Sequence, residues 1–241
     1  MLTEMDRSLL TNILSSYDKT IKNAKCLNNT VVPHKSRVKL QKYIDERCNT
    51  FSLLIDYFEH IPEFHQLNIN DKSLLNRRNL VHLLSIHLLA KSTVNNIVHP
   101  WDKSEYLVYD YVYGTALLNK MDTFLKSSDI LLHDSIIAKL LLIVLVFSTS
   151  LLTTFTQTNL SMINAYSNSI HIFQIQNIYT ELLWNYLYDR LGEYQTVYMF
   201  STFINRCLHM QNIQFEIDQN FSQRNDLCQV VYASQTLFDF K

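Results

Sequence analysis

The chain has 241 residues, 47% of them hydrophobic, and a formal charge of −1 with no basic run, so it can bury a sizeable core and shows no electrostatic footprint for nucleic acid. Two glycines (Gly114, Gly192) and three prolines nearly exclude tight hairpins and glycine-dependent phosphate loops, leaving long helices with polar connectors. Four scattered cysteines (Cys26, Cys48, Cys207, Cys228) form no CxxC pair, which argues against zinc fingers and a disulfide framework and fits reduced thiols in a cytosolic or nuclear protein.

Residues 3–24 place Leu9/Leu10, Ile13/Leu14, Tyr17 and Ile21 on one stripe, with acids early and lysines late, the pattern of an amphipathic helix. A loop rich in Asn and Thr (26–33) precedes a long helix starting near Ser36. Its register Leu40, Ile44, Cys48, Phe51, Leu54/Ile55, Phe58, Ile61 holds a three-to-four spacing until Pro62 stops it. A short polar connection from His65 to Asn70 carries Leu67 and Ile69 as apolar pins. The next helix is expected from Asp71 to about Ala90, with Asn70 or Asp71 as N-cap. Its second half (Leu80, Val81, Leu83, Leu84, Ile86, Leu88, Leu89) is apolar almost all round. Such a helix has to lie in the middle of its domain, with others on both sides.

After Ser92 an irregular patch (94–103) surrounds His99-Pro100-Trp101, with room for a small β-turn. Tyr106 to Lys126 reads as helical, interrupted near Gly114, and Leu131 to Thr154 as an apolar core helix. The part from Ile136 to Phe155 contains Lys139 and five Ser/Thr residues, and its unbroken apolar run is only Leu140 to Phe147. That suits a buried helix rather than a membrane span of ~20 residues. A polar segment (157–169) leads into a helix from Ile170 to Leu191, with Ile172, Ile175, Ile178/Tyr179, Leu182/Leu183 and Tyr186 inward and Gly192 ending it. Tyr194 to Asn220 is the last long helix, followed by a loop (222–226) and a short helix, Val230 to Phe240. No signal region opens the chain, no repeat appears, and no linker divides it. One all-α domain over 1–241 is expected.

Catalytic chemistry finds little support. Nine histidines are spread widely; His82 and His87 are five apart, a poor helical metal pair, and His60 and His65 flank a proline break. No H-E-x-x-H, G-x-S-x-G or P-loop is present. Neither an enzyme nor a bound metal or cofactor is expected. Tyr106, Tyr109, Tyr111 and Tyr113 pack well without a stacked base.

Tyr57-Phe58-Glu59-His60-Ile61-Pro62-Glu63-Phe64, followed by Leu67, Asp71 and Leu74-Leu75, resembles the signature of nuclear hormone receptor ligand-binding domains. That pattern is an aromatic, Ala, Lys, a basic residue, Ile-Pro, any residue, Phe, then a leucine, Asp-Gln and paired leucines. The spacing agrees without a gap, while the Ala, Lys and Gln are replaced here. Further on, IQNIYTELLWNYLYDRL resembles the family's ninth helix and MFSTFINRCLHM its tenth. The resemblance implies a three-layer antiparallel helical sandwich of about nine to eleven helices. It also implies a transcriptional regulator in the nucleus, with any DNA-binding module elsewhere.

The resemblance carries site expectations with it. Lys91 falls where many members anchor the polar head of a ligand, Thr50 where a second polar contact often sits, and Arg47 one turn earlier on the same face. Leu54, Leu84, His87 and Leu88 complete the implied pocket. Two cations aimed at one cavity need an anion, which implies a small apolar or acidic, lipid-like ligand. In the alternative, Arg47 pairs with a protein carboxylate or fills the space, and no ligand binds. The coactivator groove is implied to use Glu59, Lys72, Arg77 and Asp239. Glu59 reverses the charge that usually caps the partner helix, so weak or absent binding of ordinary coregulator peptides is expected. Dimerisation is implied through Val197, Phe200 and Ile204, with large aromatics such as Phe200 or Tyr198 pointing to a partner where they reach the surface. His82 replaces an acid many members carry. The competing function is a ligandless dimerisation module that sequesters partners.

Overall fold

A computed structural model describes residues 2–23, 36–95, 103–129, 134–149 and 166–227. Among them the chain forms nine α-helices and one 3-10 turn, with no strand. The expected all-α class holds.

Helix α1 (Glu4–Asn23) begins at Thr3, whose hydroxyl accepts from the Asp6 N–H (3.1 Å) while Asp6 accepts from the Thr3 N–H (2.9 Å), a reciprocal cap. It buries Leu10, Ile13 and Tyr17, the expected stripe. Helix α2 (Ser36–Glu59) buries Leu40, Tyr43, Ile44, Phe51, Leu54, Tyr57 and Phe58. Ile61 is then extended (φ −88°, ψ 118°) and fully buried, as proline demands of the residue before it, and Pro62 opens the single turn α3 (Pro62–His65).

The central helix α4 runs Ile69–Asn95. It starts two residues before the expected Asp71, and the cap is neither Asn70 nor Asp71 but Asn68. The Asn68 side chain accepts from the Asp71 N–H (2.9 Å) and donates to the Asp71 carboxylate (2.7 Å). The other Asp71 oxygen accepts from the Ser167 N–H (2.8 Å), so this buried acid has partners on both sides. Helix α4 packs most extensively on α7 and also meets α2, α6 and α9. Leu75, Asn76, Asn79, Leu80, His82, Leu83, Ile86 and His87 are all buried. These positions share one broad face, a little under half of the helix's circumference, while on the other side Arg77 is exposed and Arg78, Val81 and Leu84 are half-buried, so the all-round burial expected of this helix is not found among the described residues.

Gly114, at φ +78°, separates α5 (Lys103–Tyr113) from α6 (Thr115–Asp129). Helix α7 (Ser135–Val146) is shorter than the expected 131–154. Asp134 caps its start by accepting from the Ile136 N–H (2.9 Å), and the Asn79 amide donates to the Val146 and Ser148 carbonyls (2.8 Å each) at its end. Lys139, on this otherwise apolar helix, reaches Asp18 (2.8 Å) and lies over the Tyr17 ring. No helix among the described residues is long and apolar enough to cross a membrane.

Helices α8 (Ser169–Leu191) and α9 (Glu193–Gln223) are joined by Gly192 alone. Its φ of 77° and ψ of 173° lie in a region essentially reserved for glycine. After α9, Arg224 turns back to donate to the Tyr111 and Val112 carbonyls (2.8 and 3.0 Å), and a 3-10 turn (Asn225–Leu227) follows. Around α4 and α7, α1 lies on α2 and α7, α5 on α2 and α6, α8 on α7, and α9 on α6 and α8. The irregular patch beyond Asn95 and the helix expected at Val230–Phe240 lie outside the described residues.

Candidate functional site

The expected pocket residues come from α2 and α4. Arg47 sits where α2 faces α5 and α9. Its guanidinium donates to the Tyr43 hydroxyl (2.8 Å), which pairs with the Tyr113 hydroxyl (2.6 Å), and stacks over the Phe51 ring (5.0 Å). Tyr43 meets Tyr109 and Tyr113 edge-on, and Tyr113 stacks on Phe221 of α9 (5.9 Å). Burial alone works against the Arg47 charge, but the phenols of Tyr43 and Tyr113 and the carboxylate of Asp218 outweigh it and raise its pKa. Asp218 is itself pushed up by burial, opposed by hydrogen bonding from Gln214 (2.8 Å) and by the Arg47 charge. Aromatic rings and protein hydrogen-bond partners thus occupy the space round Arg47.

The remaining pocket residues follow the same pattern. The Thr50 hydroxyl donates to the Glu46 carbonyl one turn back (2.9 Å). Leu54 is fully buried in the core, and Leu84 is half-buried against it. His87 is buried, with its Nδ1 3.1 Å from the Tyr17 hydroxyl. Leu88 and Lys91 lie on α4, their side chains outside the described residues.

At the implied groove, Lys72 donates to the Glu59 carboxylate (2.8 Å) while lying over the Phe64 ring, and His65 approaches the same oxygen (3.1 Å). Structure therefore brings Glu59 and Lys72 together as a pair across the α2–α4 junction. Arg77 is exposed further along α4, and Asp239 lies outside the described residues.

The third region is the outer face of α8 and α9. Val197 and Ile204 are half or more exposed, and Phe200 is half-buried against Trp184 of α8 (ring centroids 5.0 Å). Tyr194 (81% exposed), Tyr198 (60%) and Leu208 (54%) continue the α9 stripe. On α8, Ile170, Phe173, Ile178, Tyr188 and Leu191 are also exposed. The Trp184–Phe200 contact joins the two stripes. Arg206 turns away from this face, to the Ser127 hydroxyl and carbonyl (2.7 and 3.1 Å).

Sequence reasoning missed Tyr43, Asp218 and Phe221 as the company of Arg47. Asp218 and Phe221 lie far along the chain from Arg47 and leave no periodic signal of meeting it, whereas Tyr43, one turn earlier on α2, shares its helical face. Sequence reasoning also passed over Tyr194, although its spacing from Val197 and Tyr198 is helical and would have extended the stripe. Among the described residues no group of three or more His, Cys, Asp or Glu could hold a metal ion. No family model and no curated protein matches the chain.

Proposed function

We propose that this protein is a divergent domain of nuclear receptor ligand-binding type, a transcriptional regulator of the nucleus that acts through a protein-binding surface rather than a ligand-filled cavity. The 57–75 signature and the all-helical fold support the family. The observation that carries the functional choice is the α8–α9 face, where five large apolar side chains of one helix stand half or more in solvent. Monomers rarely leave a contiguous patch of that kind uncovered.

The state of Arg47 favours the ligandless reading. A cation held for a ligand's acid would be short of partners before the ligand arrives, whereas Arg47 already has a phenol oxygen as acceptor, two rings and a nearby carboxylate. Glu59 is likewise neutralised by Lys72, so it presents little charge to the end of a coregulator helix.

Native mass spectrometry of the purified protein tests the choice. The expected spectrum shows the bare polypeptide mass and its multiples. A co-purified lipid that Arg47→Met or Lys91→Ala abolishes would establish the ligand-switched alternative instead.

A further inference from the structure

We propose that the core of this protein contains a buried water site, a file of about two molecules that bridges Asn76, Asn79 and His82 along the inner side of α4. It is independent of the α8–α9 face and of the choice between a liganded and a ligandless domain.

Side-chain chemistry sets the demand. Asn76 and Asn79 are 0% exposed and His82 2%, which puts three polar side chains among Leu75, Leu80, Leu83 and Ile86 in the core. The Asn79 amide nitrogen is used in full, since it donates to the Val146 and Ser148 carbonyls (2.8 Å each). Among the described residues, five atoms then remain that no protein group meets: Oδ1 and Nδ2 of Asn76, Oδ1 of Asn79, and both ring nitrogens of His82. A buried polar group left unpaired weakens folding by roughly 5- to 150-fold. Five of them, even at the lower limit, amount to about 10³-fold, the whole folded-to-unfolded ratio of a weakly stable domain. A partner for them is a condition of folding.

Spacing sets the size of that partner. Asn76, Asn79 and His82 follow one another at three-residue steps, and such neighbours on a helix have Cβ atoms about 5–6 Å apart. One oxygen with a hydrogen bond of about 2.8 Å to either side spans the same distance. Because all three residues are enclosed, the occupant is shut in as the chain folds, and the molecule present at that moment is solvent.

The balance of donors and acceptors points the same way. Burial holds the His82 ring neutral, its pKa pushed down to about 4, so the ring offers one N–H and one lone pair. Asn76 adds an NH₂ group and a carbonyl, and Asn79 a carbonyl. A cation would leave the N–H groups of Asn76 and His82 unpaired, and an anion would leave the carbonyls unpaired. Water donates and accepts, and buried waters make about three hydrogen bonds each to groups of this kind. The file ends on the residue whose nitrogen secures the end of α7, so the water and α7 share Asn79 as an anchor.

Nuclear magnetic resonance tests the site in the full chain, deuterated and labelled with nitrogen-15. Water should give cross-peaks to the Asn76 side-chain amide and to the His82 ring N–H, with the opposed NOE and ROE signs of a molecule that tumbles with the protein. Oxygen-17 relaxation dispersion counts such waters and separates them from relay through an exchanging hydroxyl. The double variant Asn76→Leu, His82→Leu should lower that count by about two, with circular dichroism showing that the helices are kept. Where the double variant does not fold, the wild-type cross-peaks decide. Their absence at both residues overturns the site, and cross-peaks at Asn76 with none at His82 overturn the bridging file. A folded double variant with an unchanged count also overturns it.

Discussion

Replacing Arg47 separates two roles for one side chain. If it serves the protein, Arg47→Ala strips a donor from Tyr43 and uncovers Phe51, and the domain should lose about 2–4 kcal/mol in urea unfolding. Arg47→Met keeps the bulk and should recover most of that loss. If it served only a ligand, both variants would leave the unliganded protein as stable as before, or more so. His82 offers a second test. It is buried with neither ring nitrogen hydrogen-bonded, and burial depresses its pKa from 6.5 to about 4. The unfolded chain takes up a proton as pH falls through 6.5, whereas the folded chain resists until about 4. Stability contributed by the neutral ring is therefore complete above pH 6.5 and lost between 6.5 and 4, by about 3 kcal/mol in all. His82→Leu should flatten that acid limb, as measured by denaturant midpoints at several pH values. Neither role was visible along the chain. Arg47 looked like one of two cations bound for a cavity because its partners Tyr113 and Asp218 come from α5 and α9. His82 looked like a substituted acid because nothing near it in sequence says what surrounds it.

At the scale of elements, the helical stripes of α1, α2, α8 and α9 were legible to within a few residues, because three-to-four spacing is a local property. Boundaries set by distant groups were not. The apolar run of α7 continues past Val146, yet the helix stops there, with the Asn79 amide holding the Val146 and Ser148 carbonyls from α4. The start of α4 was misplaced for a related reason. Asn68 lay in what read as a connection, and only the reciprocal bonds with Asp71 reveal it as the cap. Asn68→Ala should cost about 1 kcal/mol, read as a shift in thermal midpoint. Gly192 was recognised as a stop signal, and the structure adds that it also starts α9. Nothing lies near the position a Cβ would take, so Gly192→Ala meets only backbone strain. The expected loss is about 1–3 kcal/mol, with the helix content unchanged by circular dichroism.

Across the whole molecule, the expectation that Asp71 to Ala90 would lie enclosed by other helices is met over one broad face only, since on the other Arg77 is exposed and Arg78, Val81 and Leu84 are half-buried. What composition could not supply is the tie between α4 and α7. Two carbonyls at the end of one buried helix hang on a single side chain from the middle of another, so the last turn of α7 cannot fray while α4 stays in place. Helix ends ordinarily exchange their amide protons through such local fraying. Here the amides of Leu142 to Val146 should exchange with deuterium only when the entire domain opens, making that short peptide a direct gauge of global unfolding. Asn79→Ala, by cutting the tie, should let the same amides exchange much faster than the overall loss of stability accounts for.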